Sequence, residues 1–410
     1  MTSSSVAVRE PPRLPIRHRR FWSPSFLTVF APLATVAATG LVLLLLSGNL
    51  LLPFQQELIL EGKTGSKGEI FEDPEMRRLL LRHHIRVHIT NTGSRELATH
   101  DFTGFDFVFP SGRPAANMVR QRLARTSGGV PQTTKPFATP LVLATFRQYA
   151  ETLVTAGVAT AQRNTLGGGT PYYYTLDTAR FLTLIKAGRT WNDLRIERQA
   201  DGQGSTISNG NRVIAHSPSP CHANAGESFL ALTAFVENGT NAPPSAAEAP
   251  AVTAAIKPLL GMQGMHDQEL FASYVTPEGK GKAPIVVVYE HQYLSYQVRQ
   301  AEAGGGPDTD RVLLYPQQEM LTDPEFIPLN AGADRLGRLL AGDPELRRRA
   351  MELGYRVLDP TSAASSDQLW RYLAERDIPA PDNSGNLTKA ELPVLDVLEN
   401  MIGEVGGCPR

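Results

Sequence analysis

The segment that decides the fold runs from residue 57 to 112: ELILEGKTGSKGEIFEDPEMRRLLLRHHIRVHITNTGSRELATHDFTGFDFVFPSG. Glu57–Gly62 (ELILEG), Ile85–Thr90 (IRVHIT) and Phe105–Pro110 (FDFVFP) are short apolar runs that read as strands, each followed by a loop of small polar residues. Asp73-Pro74 places an acidic cap and a first-turn proline at the start of MRRLLLRHH, which predicts a helix there. NTGSRELA (91–98) and SGRPAANMVRQRLA (111–124) are loops that open helices in the same way. A strand–loop–helix unit occurring three times in succession implies an α/β fold with a parallel sheet.

Each of the three units delivers glycine and hydroxyl residues where a strand ends and a helix begins: Gly65-Ser66, Gly93-Ser94 and Ser111-Gly112. One such pair is ordinary turn chemistry. Three on one sheet edge point to a binding face, because ligands of open parallel sheets sit beyond the carboxyl ends of the strands. Helix N-termini there present free N–H groups and a dipole that favours anions.

Working outward, the middle of the chain restarts the pattern. FATPLVLAT (137–145), RVIAHS (212–217), APIVVVYEHQYL (283–294) and RVLLYPQQEM (311–320) read as strands, and RFLTLIKAG (180–188) as a helix. SPSPCHANAGESFLALTAFVENG (217–239) reads as a small-residue loop opening a long helix, a fourth site of the same kind on a second sheet. GRLLAGDPELRRRAMELGYRV (337–357) reads as one helix, and the tail carries helical stretches at 367–376 and 389–402.

Towards the N-terminus, residues 1–25 hold five arginines against the single Glu10. Phe26 to Phe54 then contains no charged residue and is long enough to span a bilayer. Basic flanks put that end in the cytoplasm, with Phe21 and Trp22 as aromatic anchors and everything after residue 55 outside. An uncleaved signal anchor is the expectation. A cleavable signal peptide is the alternative, against which stands an apolar run longer than the usual one.

The composition is that of a globular protein, and a net charge of −1 excludes the basic footprint of a nucleic-acid binder. Cys221 and Cys408 both fall on the expected outer side, where two cysteines could pair. His83, His84 and His88 lack ligand spacing, as do His216, Cys221 and His222, and residues 382–391 place glycine and acids at the wrong offsets for a calcium loop. No metal or cofactor is expected. The chain has no G-x-S-x-G, H-E-x-x-H, Walker loop or dinucleotide fingerprint, so no enzymatic role is expected either.

GSKGEIFEDPEMRRLL, TNTGSRELAT, FDFVFPSGRPAA, SPSPCHANAGESFLAL, VVVYEHQYL, RVLLYPQQEM and LLAGDPELRRRAMELGYRV, in that order, resemble bacterial extracellular solute-binding proteins of the type II periplasmic binding group, over roughly residues 57–360. The resemblance implies two lobes joined by crossover strands, the first made of residues 57–139 and 296–365, the second of 140–295, with a C-terminal helical tail at 366–410. It implies ligand contacts from Ser66, Ser94, Arg95 and Ser111 in the first lobe. In the second it implies Ser219, Asn224, Tyr289, Glu290 and Gln292. The loop before the second-lobe helix reads Pro220-Cys221-His222-Ala223-Asn224, where relatives often carry a Thr-Asp or Ser-Asn pair, so specificity does not transfer. The implied partners are a small polar or anionic solute and a membrane permease, for ABC-type import. A membrane-anchored sensor or assembly protein is the alternative.

Overall fold

The computed structural model describes Thr39 and residues 57–408, apart from 100, 127–128, 130, 168, 201–203, 243–244, 246, 262–269, 359–365 and 383–387. The expected membrane segment, 26–54, lies outside the described residues save Thr39. Among the described residues no helix is long and apolar enough to cross a membrane.

The first sheet has four strands in the order β11-β3-β1-β2. β1 (Leu58–Thr64) pairs in parallel with β2 (Ile85–Asn91) from Leu58↔Ile85 to Thr64↔Asn91, and with β3 (Phe107–Phe109) at Gly62↔Phe107. Glycine is required at 62, because a Cβ there would lie 2.1 Å from the Phe107 ring that crosses it. The connections are α1 (Pro74–Arg82), α2 (Ser94–Thr99) and, after β3, α3 (Arg113–Thr126). Asp73 caps α1 as its sequence implies, accepting the Met76 N–H at 2.8 Å, with Pro74 in the first turn. A core of Phe71, Phe107, Phe109, Phe137, Phe326 and Tyr355 fills one face of the sheet, with Phe107 and Phe326 stacked at 4.8 Å, and Leu97, Val108, Ala116 and Val119 pack together on the other.

β4 (Phe137–Phe146) is buried at all ten residues and carries the chain into the second sheet. Its first part pairs with β10 (Leu321–Thr322) and β12 (Arg356–Val357). Its second part pairs with β7 (Ile285–Tyr289) and β8 (Arg311–Pro316). β5 (Ala159–Ala161) and β6 (Tyr173–Leu176) extend that sheet beyond β8. The helices packed there are α4 (Arg147–Thr155), α5 (Thr178–Lys186), α6 (Asn224–Glu237), α7 (Ala249–Gly261) and α8 (Glu290–Gln300). β9 (Gln318–Glu319) and β11 (Ile327–Pro328) lead back, and β11 pairs antiparallel with β3.

Three expectations are corrected here. Residues 337–357 are not one helix: α9 (Ala331–Gly342) stops and α10 (Pro344–Glu352) starts at Asp343-Pro344, because a residue before proline avoids the helical region. Asp343 is extended (ψ 123°) and caps α10 through the N–H groups of Glu345 and Leu346. RVIAHS forms only isolated bridges, Thr190↔Arg212 and His216↔Val286, and Pro218, which lacks an N–H, follows at once. The strand expected over 283–294 ends at Tyr289, and Gln292 folds back to accept the Tyr289 N–H, opening α8.

The second core contains Tyr293, Leu294, Val298 and Val312–Tyr315, and Phe326 is packed in the first core. The tail belongs to this second core as well. Leu369 and Leu373 of α11 (Asp367–Ala374) and Val397, Leu398, Met401, Ile402 and Val405 of α12 (Leu395–Gly406) are buried in it. β13 (Thr388–Lys389) pairs with β9, and a Cys221–Cys408 disulfide ties the chain's end to the loop before α6.

Candidate functional site

β1 and β3 run in parallel, so their carboxyl ends lie side by side, and the loops that follow them meet. Ser66 and Ser111 approach hydroxyl to hydroxyl at 3.1 Å, and the Lys67 backbone N–H donates to the Ser111 hydroxyl at 3.2 Å. From the second sheet, α6 begins at Asn224 and β7 ends at Tyr289. The Asn224 amide donates to the Tyr289 hydroxyl, and its Nδ2 also lies 3.4 Å from the Ser228 hydroxyl.

These two groups press against each other. A Cβ on Gly112 would sit 2.2 Å from Asn224 Oδ1, and one on Gly93 would sit 2.9 Å from the His222 carbonyl oxygen. Glycine at 93 and 112 therefore allows the loops after β2 and β3 to reach the start of α6. Ser111, Asn224 and Tyr289 are all buried here, whereas Ser66 remains exposed.

The residue at the centre was not singled out in the sequence. Lys67 lies in the quoted Gly-Ser-Lys-Gly loop and is only 1% exposed. Its Nζ donates to the Ser111 carbonyl at 2.9 Å and stands 3.7 Å over the Tyr289 ring. Burial pushes its ammonium down from the usual lysine range to about 7, against the pull of Glu69, Asp323 and Glu227. Burial likewise pushes the Tyr289 hydroxyl up to about 12, opposed by bonds with Ser228, Asn224 and Thr322. A lysine between two glycines in a loop normally signals exposure, and the sequence offered no sign that a second sheet would cover it.

The remaining sequence-derived candidates divide. Ser94 and Arg95 open α2, but their side chains lie outside the described residues. Ser219 shapes the turn before α6: its hydroxyl accepts the Cys221 N–H at 3.3 Å and its carbonyl accepts the Ala223 N–H at 2.9 Å. Glu290 is engaged inside the protein. It is fully buried, held bidentately by Arg356 at 2.6 and 2.7 Å and by the Tyr315 hydroxyl at 2.8 Å. Arg356 also reaches Glu319 at 3.2 Å. Gln292 serves as the capping partner of Tyr289 and lines a separate cavity of about 280 Å³ with Glu69, Asp73, His291, Arg299 and Tyr355.

His291 stands between the cavity and the crossover strand. Its ring stacks on Tyr355 at 4.1 Å, with Nδ1 3.1 Å from the Thr139 hydroxyl and Nε2 3.0 Å from Glu69. Burial lowers its pKa below the ordinary histidine value, while Glu69 opposes the shift. The histidines near α1 are apart: His83 pairs with Asp343 at 3.1 Å and His88 with Glu61 at 2.9 Å. Among the described residues no group of three or more His, Cys, Asp or Glu side chains is placed to hold a metal.

No family model and no curated protein matches the chain. Solved structures do. Iron-bound HitA from Pseudomonas aeruginosa aligns with a TM-score of 0.48 at 12% identity, over 85% of this chain and 99% of that one. The sulfate-binding protein SubI from Mycobacterium tuberculosis H37Rv aligns with a TM-score of 0.44 at 12% identity, over 84% and 96%. A two-component system protein that mediates signal transduction aligns with a TM-score of 0.47 at 14% identity, over 84% and 99%. The shared feature is a mixed α/β fold.

Proposed function

We infer that this chain is an extracytoplasmic solute-binding protein that captures a small polar or anionic ligand where its two sheets meet. One observation carries the reading: hydroxyl, amide and ammonium groups from four separate chain segments, at Ser66-Lys67, Ser111, Asn224 and Tyr289, converge on one point. Two of them stand at the starts of α3 and α6, where first-turn N–H groups have no partner within the helix. Chemically, the set offers hydroxyl, amide and ammonium donors, which suits capture of a polar or anionic solute. The apolar segment 26–54 would hold this unit at the outer face of a membrane, in reach of an ABC-type permease.

A second reading, a membrane-anchored sensor or assembly protein, is favoured by one feature. The loops of the first sheet touch the start of α6, with Gly112 against Asn224 and Gly93 against His222, a direct contact through which a change at one sheet reaches the other. A thermal-shift screen of the full-length chain against oxyanions, carboxylates, amino acids, sugars and polyamines tests the first reading. A ligand at 100 times its Kd adds about 2.7 kcal/mol of stability. A folded sample that shifts with none of them leaves the second reading in place of the first.

A further inference from the structure

Burying the Lys67 ammonium carries a cost that its neighbours offset only in part. Its ammonium is buried, and among the described residues no carboxylate lies within ion-pair reach of it. Three carboxylates act on it from further off: Asp323, which pairs with Lys135 at 2.7 Å and faces Arg113 at 3.7 Å, Glu69, which shares a hydrogen bond with His291 at 3.0 Å, and Glu227, buried in the first turn of α6. What Lys67 has instead is one carbonyl and one aromatic face, both weaker partners for a buried cation than a carboxylate.

Buried charges are stable when paired. Around Lys67 the fold supplies further donors: the hydroxyls of Ser66 and Ser111 and the N-terminal turns of α3 and α6. Such surroundings suit a negative charge brought from outside.

We propose that Lys67 is the specificity-determining residue of this site and serves as the counter-ion of an anionic ligand. The proposal rests on the solute-binding reading and narrows it to one class: carboxylates or oxyanions small enough to lie between Ser111 and Tyr289. On binding, the Lys67 ammonium exchanges the Ser111 carbonyl for the ligand's anionic oxygen, and the ligand's remaining oxygens take the hydroxyls and first-turn N–H groups.

A proton accompanies the anion. The free site holds Lys67 near the point of half-protonation at neutral pH, and an adjacent anion raises that value. The titratable and charged groups facing Lys67 are Glu69 on its own turn, Asp323 after β10, Glu227 on α6, Tyr289 at the end of β7 and His291 on α8. Glu69, held below the usual carboxylate range, is ionised and Tyr289 is neutral from pH 7 to 9, and His291, held below the ordinary histidine value, is neutral there too. Affinity is thus flat below about pH 7 and falls by up to about tenfold per pH unit above it.

The test is isothermal titration of the full-length chain in detergent with sulfate, phosphate, succinate, glucose and spermidine, for the native protein, Lys67→Met and Lys67→Gln. The glutamine variant guards against a methionine variant that fails to fold, and the native pH profile stands independently of both. The expected result is binding of at least one of the three anions, weakened about 10- to 100-fold by either substitution, with native affinity falling above pH 7. An anion that binds the variants as tightly as the native protein overturns the role of Lys67 and leaves solute binding intact. Binding of glucose or spermidine alone does the same. No binding by any probe overturns both readings together.

Discussion

Replacing Lys67 by methionine keeps the length of the side chain and removes its charge, and the structure sets the size of the effect on stability. In the unfolded chain the ammonium titrates at its ordinary value of 10.5; in the folded protein burial lowers this to about 7. At about 1.4 kcal/mol per tenfold change in proton affinity, holding the charge inside costs about 5 kcal/mol at and below neutral pH. For a base whose folded value is depressed, the unfolded chain binds more protons between the two values, so native stability rises with pH there. From pH 7 to 9 the gain is about 2 kcal/mol, which Lys67→Met removes. At pH 7 the variant is spared the charge but leaves the Ser111 carbonyl without its donor, at about 1–3 kcal/mol. A net stabilisation of about 2–4 kcal/mol remains. Urea unfolding of both proteins at pH 7, 8 and 9 measures this directly. Lys63 shifts in the same direction, so the quantity to follow is the difference between the two proteins, from which its contribution cancels. Staying at or below pH 9 avoids ionisation of tyrosines in the unfolded chain. A variant that is less stable than the native protein and keeps its pH slope refutes the reasoning.

Three further outcomes are expected. Glu290→Gln leaves Arg356 buried with only Glu319 as a carboxylate partner, so it lowers stability by about 3 kcal/mol in urea unfolding. Solute binding that disappears while stability stays unchanged would instead return Glu290 to the ligand site. Replacing both Cys221 and Cys408 by alanine frees a loop closed across 187 residues, a loss of about 5 kcal/mol on loop-closure entropy, read from the urea midpoint of oxidised and variant protein. An unchanged midpoint refutes a stabilising link between α12 and the loop before α6. Buried His291 has a lowered pKa, so its contribution is complete above its unfolded value of 6.5 and is lost as pH falls through the folded value. Native protein therefore loses stability between pH 7 and 5 by more than His291→Gln does. Equal acid sensitivity in the two would show that His291 does not titrate on unfolding.

The cores follow the same division between local and distant causes. Phe107, Phe109 and Phe137 look like ordinary strand residues in the sequence, yet their packing with Phe326 and Tyr355 decides where the chain re-enters the first core. From residue 366 the sequence reads as a helical tail, with no sign of where it packs. Its apolar face is buried in the second core, where α12 packs beside α7 and is held by Cys408.

What the sequence determined by itself was whatever depends on neighbours a few residues apart. The apolar runs of β1, β2 and β3, the Asp73-Pro74 start of α1 and the small-residue loop before α6 all declare themselves within a dozen residues, because hydrogen-bond periodicity and capping are local. The same local signals placed Ser66, Ser111, Asn224 and Tyr289 at strand ends and helix starts. Tertiary structure alone decided which polar groups meet one another and which are buried in the core. Glu290 meets Arg356 across 66 residues, and Lys67 meets Tyr289 from another sheet. Burial is a property of what the rest of the chain lays over a residue. A lysine in a glycine-rich loop and a glutamate after a strand therefore look alike in sequence, until packing leaves one charge paired and the other without a counter-ion.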